Sequence, residues 1–200
     1  MTITIEPLAT NQKNEAVQLL ARAFVTNPLH IAIFGADRLD RNEAFFHRVF
    51  AVMKGQQFAA VDGSRILGII HWIDSTRCQV PFIDKLWMAP SMFRELGLRS
   101  TIRVVRWVSI WSKYDPREHH LHLGPIGVLP EAQGHGVGRQ LMERYCNQLD
   151  TNNAIGYLET DRPRNVDFYM KFGFEVTETT SIYGVTNYFM YRRPGSTRPG

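Results

Sequence analysis

The sequence predicts an α/β fold, and three observations carry that expectation. Runs rich in β-branched and aromatic residues alternate with longer stretches whose apolar residues recur at helical spacing. Asp62-Gly63-Ser64 and Tyr183-Gly184 are turn signals that join neighbouring strand-like runs as hairpins. The run His122-Leu-Gly-Pro-Ile126 feeds through a glycine-rich turn into a helix whose Val137, Leu141, Tyr145 and Leu149 form one apolar stripe.

In chain order, residues 2–6 alternate polar and β-branched side chains and open the fold as a strand. A helix follows from Thr10 as N-cap, with Ala16, Val17, Leu20, Ala23 and Phe24 on one face, and Asn27-Pro28 ends it. Residues 29–36 are apolar without a period and read as a connection. Residues 37–54 form a second amphipathic helix with Phe45, Phe46, Val49, Phe50 and Met53 inward. Residues 57–61 and 65–73 pair as a hairpin, and the second of these strands, apolar on both faces, is central. Residues 75–90 have no clear period and 91–97 suggest a helical turn. Residues 101–113 form a helix with Ile102, Val105, Val108 and Trp111 on one side, and Asp115-Pro116 closes the segment. Residues 119–128 make the fourth strand, where Pro125 removes a ladder donor, as it would at a bulge. Residues 154–160 make the fifth, 163–171 a short helix, and 174–180 pairs with 186–192.

Length suits one domain over residues 1–193, with 75–118 as a helical insertion between the third and fourth strands and 194–200 as a flexible tail. An apolar fraction of 44% permits a sizeable core. No apolar run approaches the ~20 residues of a membrane span, and the first residues lack a signal peptide's basic start, so a cytoplasmic address is expected. Cys78 and Cys146 are too few for a disulfide framework and read as packing thiols. The net charge is +4, but Arg192, Arg193 and Arg198 crowd the last nine residues, leaving +1 for the rest. With no zinc-finger spacing and no basic stripe, nucleic acid is not an expected partner.

The glycine turn carries the chemistry. Gln133-Gly-His-Gly-Val-Gly138 has three glycines in five positions, between a strand and a helix start. Glycine lets the backbone turn its N–H groups toward one point, and the helix N-terminus adds unpaired donors and a positive partial charge. Together they make a site for an anion such as a phosphate ester. The turn is neither G-x-x-x-x-G-K-[ST] nor G-x-G-x-x-G, so the two best-known nucleotide loops are excluded.

Gln133, Gly136 and Gly138 fall instead in the pattern Q-x-x-G-x-G, and Tyr157 to Glu175 holds Asn165 and Tyr169 four apart ahead of Gly173-Phe174. This pair of motifs resembles the GNAT acetyltransferase superfamily, closely over residues 121–193 and by layout before that. The resemblance implies a mixed, mostly antiparallel sheet of six or seven strands with helices on both faces, whose fourth and fifth strands are parallel and splay apart. It implies acetyl-CoA as co-substrate and no metal. Gln133, Gly134, His135, Gly136, Val137, Gly138 and Arg139 would hold the pyrophosphate, and Ile126, Gly127 and Val128 would run beside the pantetheine arm. The Val128 N–H would polarise the thioester, Asn165 would contact the donor, and Tyr169 would protonate the departing thiolate.

Two groups compete for the base that deprotonates the acceptor. His120 and His122 share a strand face by period two, and His122 lies six residues before Val128, where some relatives carry their base. Glu159 is the other. His119, His120 and His122 cluster as metal ligands do, but no carboxylate or cysteine sits at ligand spacing. Leu158-Glu-Thr160 and Arg164 to Tyr169 resemble the branch of puromycin-type antibiotic acetyltransferases. The expected function is acetyl transfer to a primary amine of a small molecule or peptide by direct attack. The alternative is a catalytically silent acyl-CoA-binding regulatory module.

Overall fold

The computed structural model describes residues 2–52, 54–78 and 92–196. Its strands are β1 (Thr4–Pro7), β2 (Gln56–Asp62), β3 (Arg65–Asp74), β4 (His120–Val128), β5 (Ile155–Thr160), β6 (Glu175–Ile182) and β7 (Val185–Arg192). In the described residues they form one seven-stranded sheet in the order β1-β2-β3-β4-β5-β7-β6. Every neighbouring pair is antiparallel except β4 and β5. Among the described residues, helices include α1 (Lys13–Phe24), α2 (Pro28–Phe34), α3 (Leu39–Val52), α4 (Ser75–Cys78), α5 (Leu98–Trp111), α6 (Val137–Asn152) and α7 (Pro163–Met170), and residues 92–96 are helical too. A Cβ on Gly127 would lie 2.7 Å from Leu20 of α1, whereas the next residue, Val128, reaches toward Gly138 of α6. Successive strand residues face opposite ways, so α1 and α6 cover opposite faces of the sheet.

The expected α/β architecture is therefore present, with its hairpins at the expected turns. Tyr183 and Gly184 take φ of 55° and 80°, as a two-residue hairpin between twisted strands requires. The stripe of α6 is buried throughout: Val137 is 1% exposed and Leu141, Tyr145 and Leu149 are fully enclosed. The Tyr145 hydroxyl donates to the Leu121 carbonyl at 2.6 Å, fastening α6 across β4. Cys146 packs in the same core.

The start of α1 differs from expectation. Thr10 already lies inside a 3-10 turn (Thr10–Gln12), so it makes no cap; the Gln12 side chain accepts from the Ala9 N–H at 2.9 Å instead. The apolar connection after Asn27 is also a helix. Asn27 caps α2 by accepting from the His30 N–H, Pro28 supplies the first-turn φ, and Gly35 stops it at φ 96°. Asp161 completes the cap from the end of β5, accepting from Leu29 N–H at 2.7 Å and Asn27 Nδ2 at 2.6 Å.

Helix α5 buries a different face from the one its period suggests. Val104 and Trp107 pack inward against α2, while Ile102, Val105 and Val108 are 55%, 56% and 43% exposed. Apolar residues circle most of this helix, so the period does not select a side. Small residues do: Ser100 lets α5 approach α2 and donates to the Ile33 carbonyl at 3.1 Å. Trp111 is half-buried and its indole donates to Asn187 at 3.0 Å. In α3, Phe46 is buried and Phe45, Val49 and Phe50 pack partly against the core. Met53, the aperiodic stretch 79–91 and the end of the tail lie outside the described residues. Among the described residues no single helix is long and apolar enough to cross a membrane.

His30 sits where α1, α2, α3 and α5 meet. Phe24, Phe34, Phe45, Phe46 and Trp107 surround it at centroid distances of 5.0–5.7 Å, and Nδ1 is 2.6 Å from Asn42 Oδ1. Burial pushes its pKa down from 6.5 to about 4. The folded state keeps this ring neutral while the unfolded chain protonates it. Its contribution is thus complete above pH 6.5 and is lost as the pH falls toward about 4. The loss should approach ~3 kcal/mol. His30→Gln should flatten the decline of melting temperature across that window; an unchanged slope would assign the decline to other groups.

Candidate active site

The site begins at a defect in β4. Ile70 of β3 pairs with Ile126 and Trp72 with Leu123, so Gly124 and Pro125 together face one residue of β3. This is a β-bulge, and proline is tolerated there because the ladder is already interrupted. On the other side, β4 and β5 pair from His120↔Ile155 to His122↔Tyr157, and no pairing follows beyond that point. The two parallel strands diverge, and Ile126, Gly127 and Val128 line the opening.

A cavity of about 1000 Å³ fills this divergence. Ile126, Gly127 and Val128 form one wall, and Gln133, Gly134, Gly136, Val137, Gly138 and Arg139 form its floor at the start of α6. Asn165 and Tyr169 of α7 close the far side. Gly136 is the N-cap of α6 with φ 81° and ψ 0°, a conformation that favours glycine. A Cβ on Gly134 or Gly136 would meet no protein atom within 4 Å. The space beside these N–H groups is therefore open to a ligand, and an anion suits it. The Gln133 side chain donates to the Val128 carbonyl at 3.1 Å, tying the loop to the end of β4. His135 does not line the cavity; its Nδ1 sits 2.9 Å from the Gln133 carbonyl on the exposed outer side.

Sequence reasoning missed several lining residues. Ala23, Phe24 and Asn27 come from the end of α1 and the corner after it, and Phe168 and Phe172 from α7 and the turn that follows. Arg162, Arg164 and Lys171 join Arg139, so four basic side chains border the cavity against one acid, Glu143, which Arg139 already holds at 2.9 Å. That balance draws a polyanion toward the opening. The signal available in sequence was the density of basic residues around Asn165.

Tyr169 is 5% exposed, with its ring edge-on to Phe174. Burial, helped by the Asp161 carboxylate, pushes its phenol well above the usual tyrosine range, so it stays protonated and able to donate. Burial likewise raises the Asp161 carboxyl. Asn165 donates to Thr160 Oγ1 at 3.2 Å across the end of β5.

His122 and Glu159 do not line the cavity, but they meet each other: Nε2 lies 2.8 Å from Oε2. Asp115 Oδ1 stands 4.0 Å from the other ring nitrogen, Nδ1. The ligand atoms of Asp115, His122 and Glu159 all lie within 4.8 Å of one another, so carboxylates distant in sequence do reach this histidine. The imidazole turns its two nitrogens to different carboxylates.

Sheet, bulge, diverging parallel pair and glycine-capped helix together define a mixed α/β domain with a cavity opened between its two parallel strands. The chain belongs to the GNAT acetyltransferase family, whose model matches residues 28–174. It is 32% identical over 81 residues to a mycothiol acetyltransferase of Pseudarthrobacter chlorophenolicus, covering 37% of this chain and 25% of that protein. A second, from Paenarthrobacter aurescens, is 33% identical over the same length. The chain thus matches about a quarter of the length of these curated relatives. Its fold is similar to that of a Corynebacterium glutamicum protein described as histone acetyltransferase HPA2 and related acetyltransferase. The TM-score is 0.76 at 17% identity, with all of both chains covered. PaiA N-acetyltransferase from Thermoplasma acidophilum, solved with coenzyme A, superposes at 0.59 with 12% identity, over 96% of this chain and 99% of that one.

Proposed function

We propose that this protein transfers an acetyl group from acetyl-CoA to a primary amine of a small molecule, by direct attack of the amine within a ternary complex. The observation that carries this reading is the open cradle of Gly134 and Gly136, continuous with the β4–β5 divergence and with Tyr169 in a single cavity. The Gln133–Gly138 N–H groups and Arg139 would take the pyrophosphate, with Arg162, Arg164 and Lys171 offering charge to the remaining phosphate. The Ile126–Val128 edge would hold the pantetheine amides, and Asn165 would steady the arm. Acetyl-CoA supplies an activated thioester, whose carbonyl oxygen gains negative charge as the amine attacks. The Val128 N–H would stabilise that oxygen. As the new C–N bond forms and the C–S bond breaks, the Tyr169 hydroxyl would give its proton to the sulfur.

The acceptor arrives protonated, and His122 or Glu159 would take its proton. In the wild type, turnover should rise with pH through one ionisation. His122→Ala should remove that rise and leave acetyl-CoA affinity nearly unchanged. If the rise survives in His122→Ala but disappears in Glu159→Gln, Glu159 is the base; if both keep it, it reports the amine itself. The likeness to the puromycin-type branch rests on Leu158–Thr160 and Arg164–Tyr169, all in the donor half, and leaves the acceptor open. The described parts of the insertion, residues 75–78 and 92–118, would form a wall of the acceptor pocket within the single domain 1–193. Acceptor-dependent release of free CoA across a panel of amines tests the proposal. Donor binding without release for any amine would favour the silent binding module.

A further inference from the structure

Asp115 lies just past α5, at the end of the segment that joins β3 to β4. Its side chain is 14% exposed and that of His122 is 16%, so the pair is largely shielded from solvent. A neutral imidazole has one N–H and one lone pair. With Nε2 2.8 Å from Glu159 and Nδ1 4.0 Å from Asp115, one nitrogen of a neutral ring would turn its lone pair toward a carboxylate. A ring that accepts a second proton donates to Glu159 and is attracted by the charge of Asp115. Asp115 thus favours the protonated ring, and does so from the nitrogen that Glu159 does not use.

We infer that Asp115 is a positioning residue for His122: its carboxylate faces the ring from the Nδ1 side and raises the pH at which the ring gives up its proton. The inference rests on the acid–base reading above for its catalytic meaning, though the coupling of the two groups stands on geometry alone. Among the described residues, the groups facing His122 include Glu159 and Tyr157 from β5, the latter at a centroid distance of 4.9 Å, and His120 from β4 at 6.0 Å. Beyond Tyr157 stands Tyr191 of β7 at 5.3 Å. His120 turns its Nδ1 to the Glu118 carbonyl at 2.8 Å, and its positive form would oppose that of His122. Among the described residues, Asp115 and Glu159 act in the opposite sense. Through Asp115, the segment between β3 and β4 reaches the acid–base group itself.

The test is a proton NMR titration of the histidines in the full chain, with the His122 signal assigned by its absence in His122→Gln. Removing the charge in Asp115→Asn should move the His122 titration to lower pH by about one unit. Asp115→Glu, which restores the carboxylate, should return it toward the wild-type position. The acidic limb of the rate profile should move with the NMR titration. A titration that moves while the rate limb stays fixed would support the coupling and overturn His122 as the base. A His122 titration unmoved in Asp115→Asn, in a protein that melts as the wild type does, would overturn the inference whatever the rates do.

Discussion

Gly136→Asp should weaken acetyl-CoA binding at least tenfold, about 1.4 kcal/mol. Gly136 caps α6 at φ 81°, and the direction of its missing Cβ leads into open space. No protein atom would resist a side chain there, so the substitution acts on whatever occupies the cradle. Aspartate tolerates a left-handed backbone better than most residues, which limits the cost to the fold. Its carboxylate would then stand against the pyrophosphate, at a helix terminus that otherwise attracts anions. Gly136→Asn separates shape from charge, since it adds nearly the same atoms without the negative charge, and it should lose less affinity. Calorimetric titration reads both variants. Equal affinity in Gly136→Asp and wild type, with the fold intact, would move the phosphate away from this loop.

Tyr169→Phe should lower turnover by ~10²–10⁴ while changing donor affinity little. The ring packs beside Phe168 at 5.4 Å and against Phe174 at 6.3 Å, contacts that phenylalanine retains. What disappears is one hydroxyl, kept protonated by burial and by the nearby Asp161 carboxylate. A proton donor of this kind matters most as negative charge gathers on the sulfur, so the loss should appear in turnover and not in binding. Pre-steady-state measurement of CoA release under saturating donor would isolate that step. Full turnover in the variant would return Tyr169 to a packing role.

The parts of this molecule that can be read from sequence are those built by contiguous residues. The glycine turn and α6 are such a case: the loop, the cap and the stripe from Val137 to Leu149 all lie in one run, and one period orders them. The bulge in β4 is another, because Gly124-Pro125 announces it locally. Elements selected by partners far along the chain stay hidden. Helix α2 is short and apolar on every side, and part of its cap comes from Asp161, 134 residues after Asn27. The inner face of α5 is chosen by the fit of Ser100 against α2, whereas the stripe of Ile102, Val105 and Val108 faces outward. The cluster around His122 is the same problem at the level of chemistry. Its carboxylates come from the segment before β4 and from β5, so no spacing in the sequence reveals them. The basic border of the cavity falls between the two cases: Arg162, Arg164 and Lys171 are neighbours in sequence, but only the position of α7 turns them toward the opening.

The most direct test of acetyl transfer follows the fate of the acetyl group itself. Acetyl-CoA carrying a radiolabelled acetyl carbon is incubated with the protein and each of a panel of primary amines. The label is then sought on the amine, on the protein and in free acetate. Direct attack in a ternary complex predicts label on an amine only when protein, donor and acceptor are present together, with none retained by the protein in the absence of acceptor. Label held covalently by the protein before any amine is added would contradict direct attack, and donor that binds tightly yet yields no labelled amine would contradict acetyl transfer.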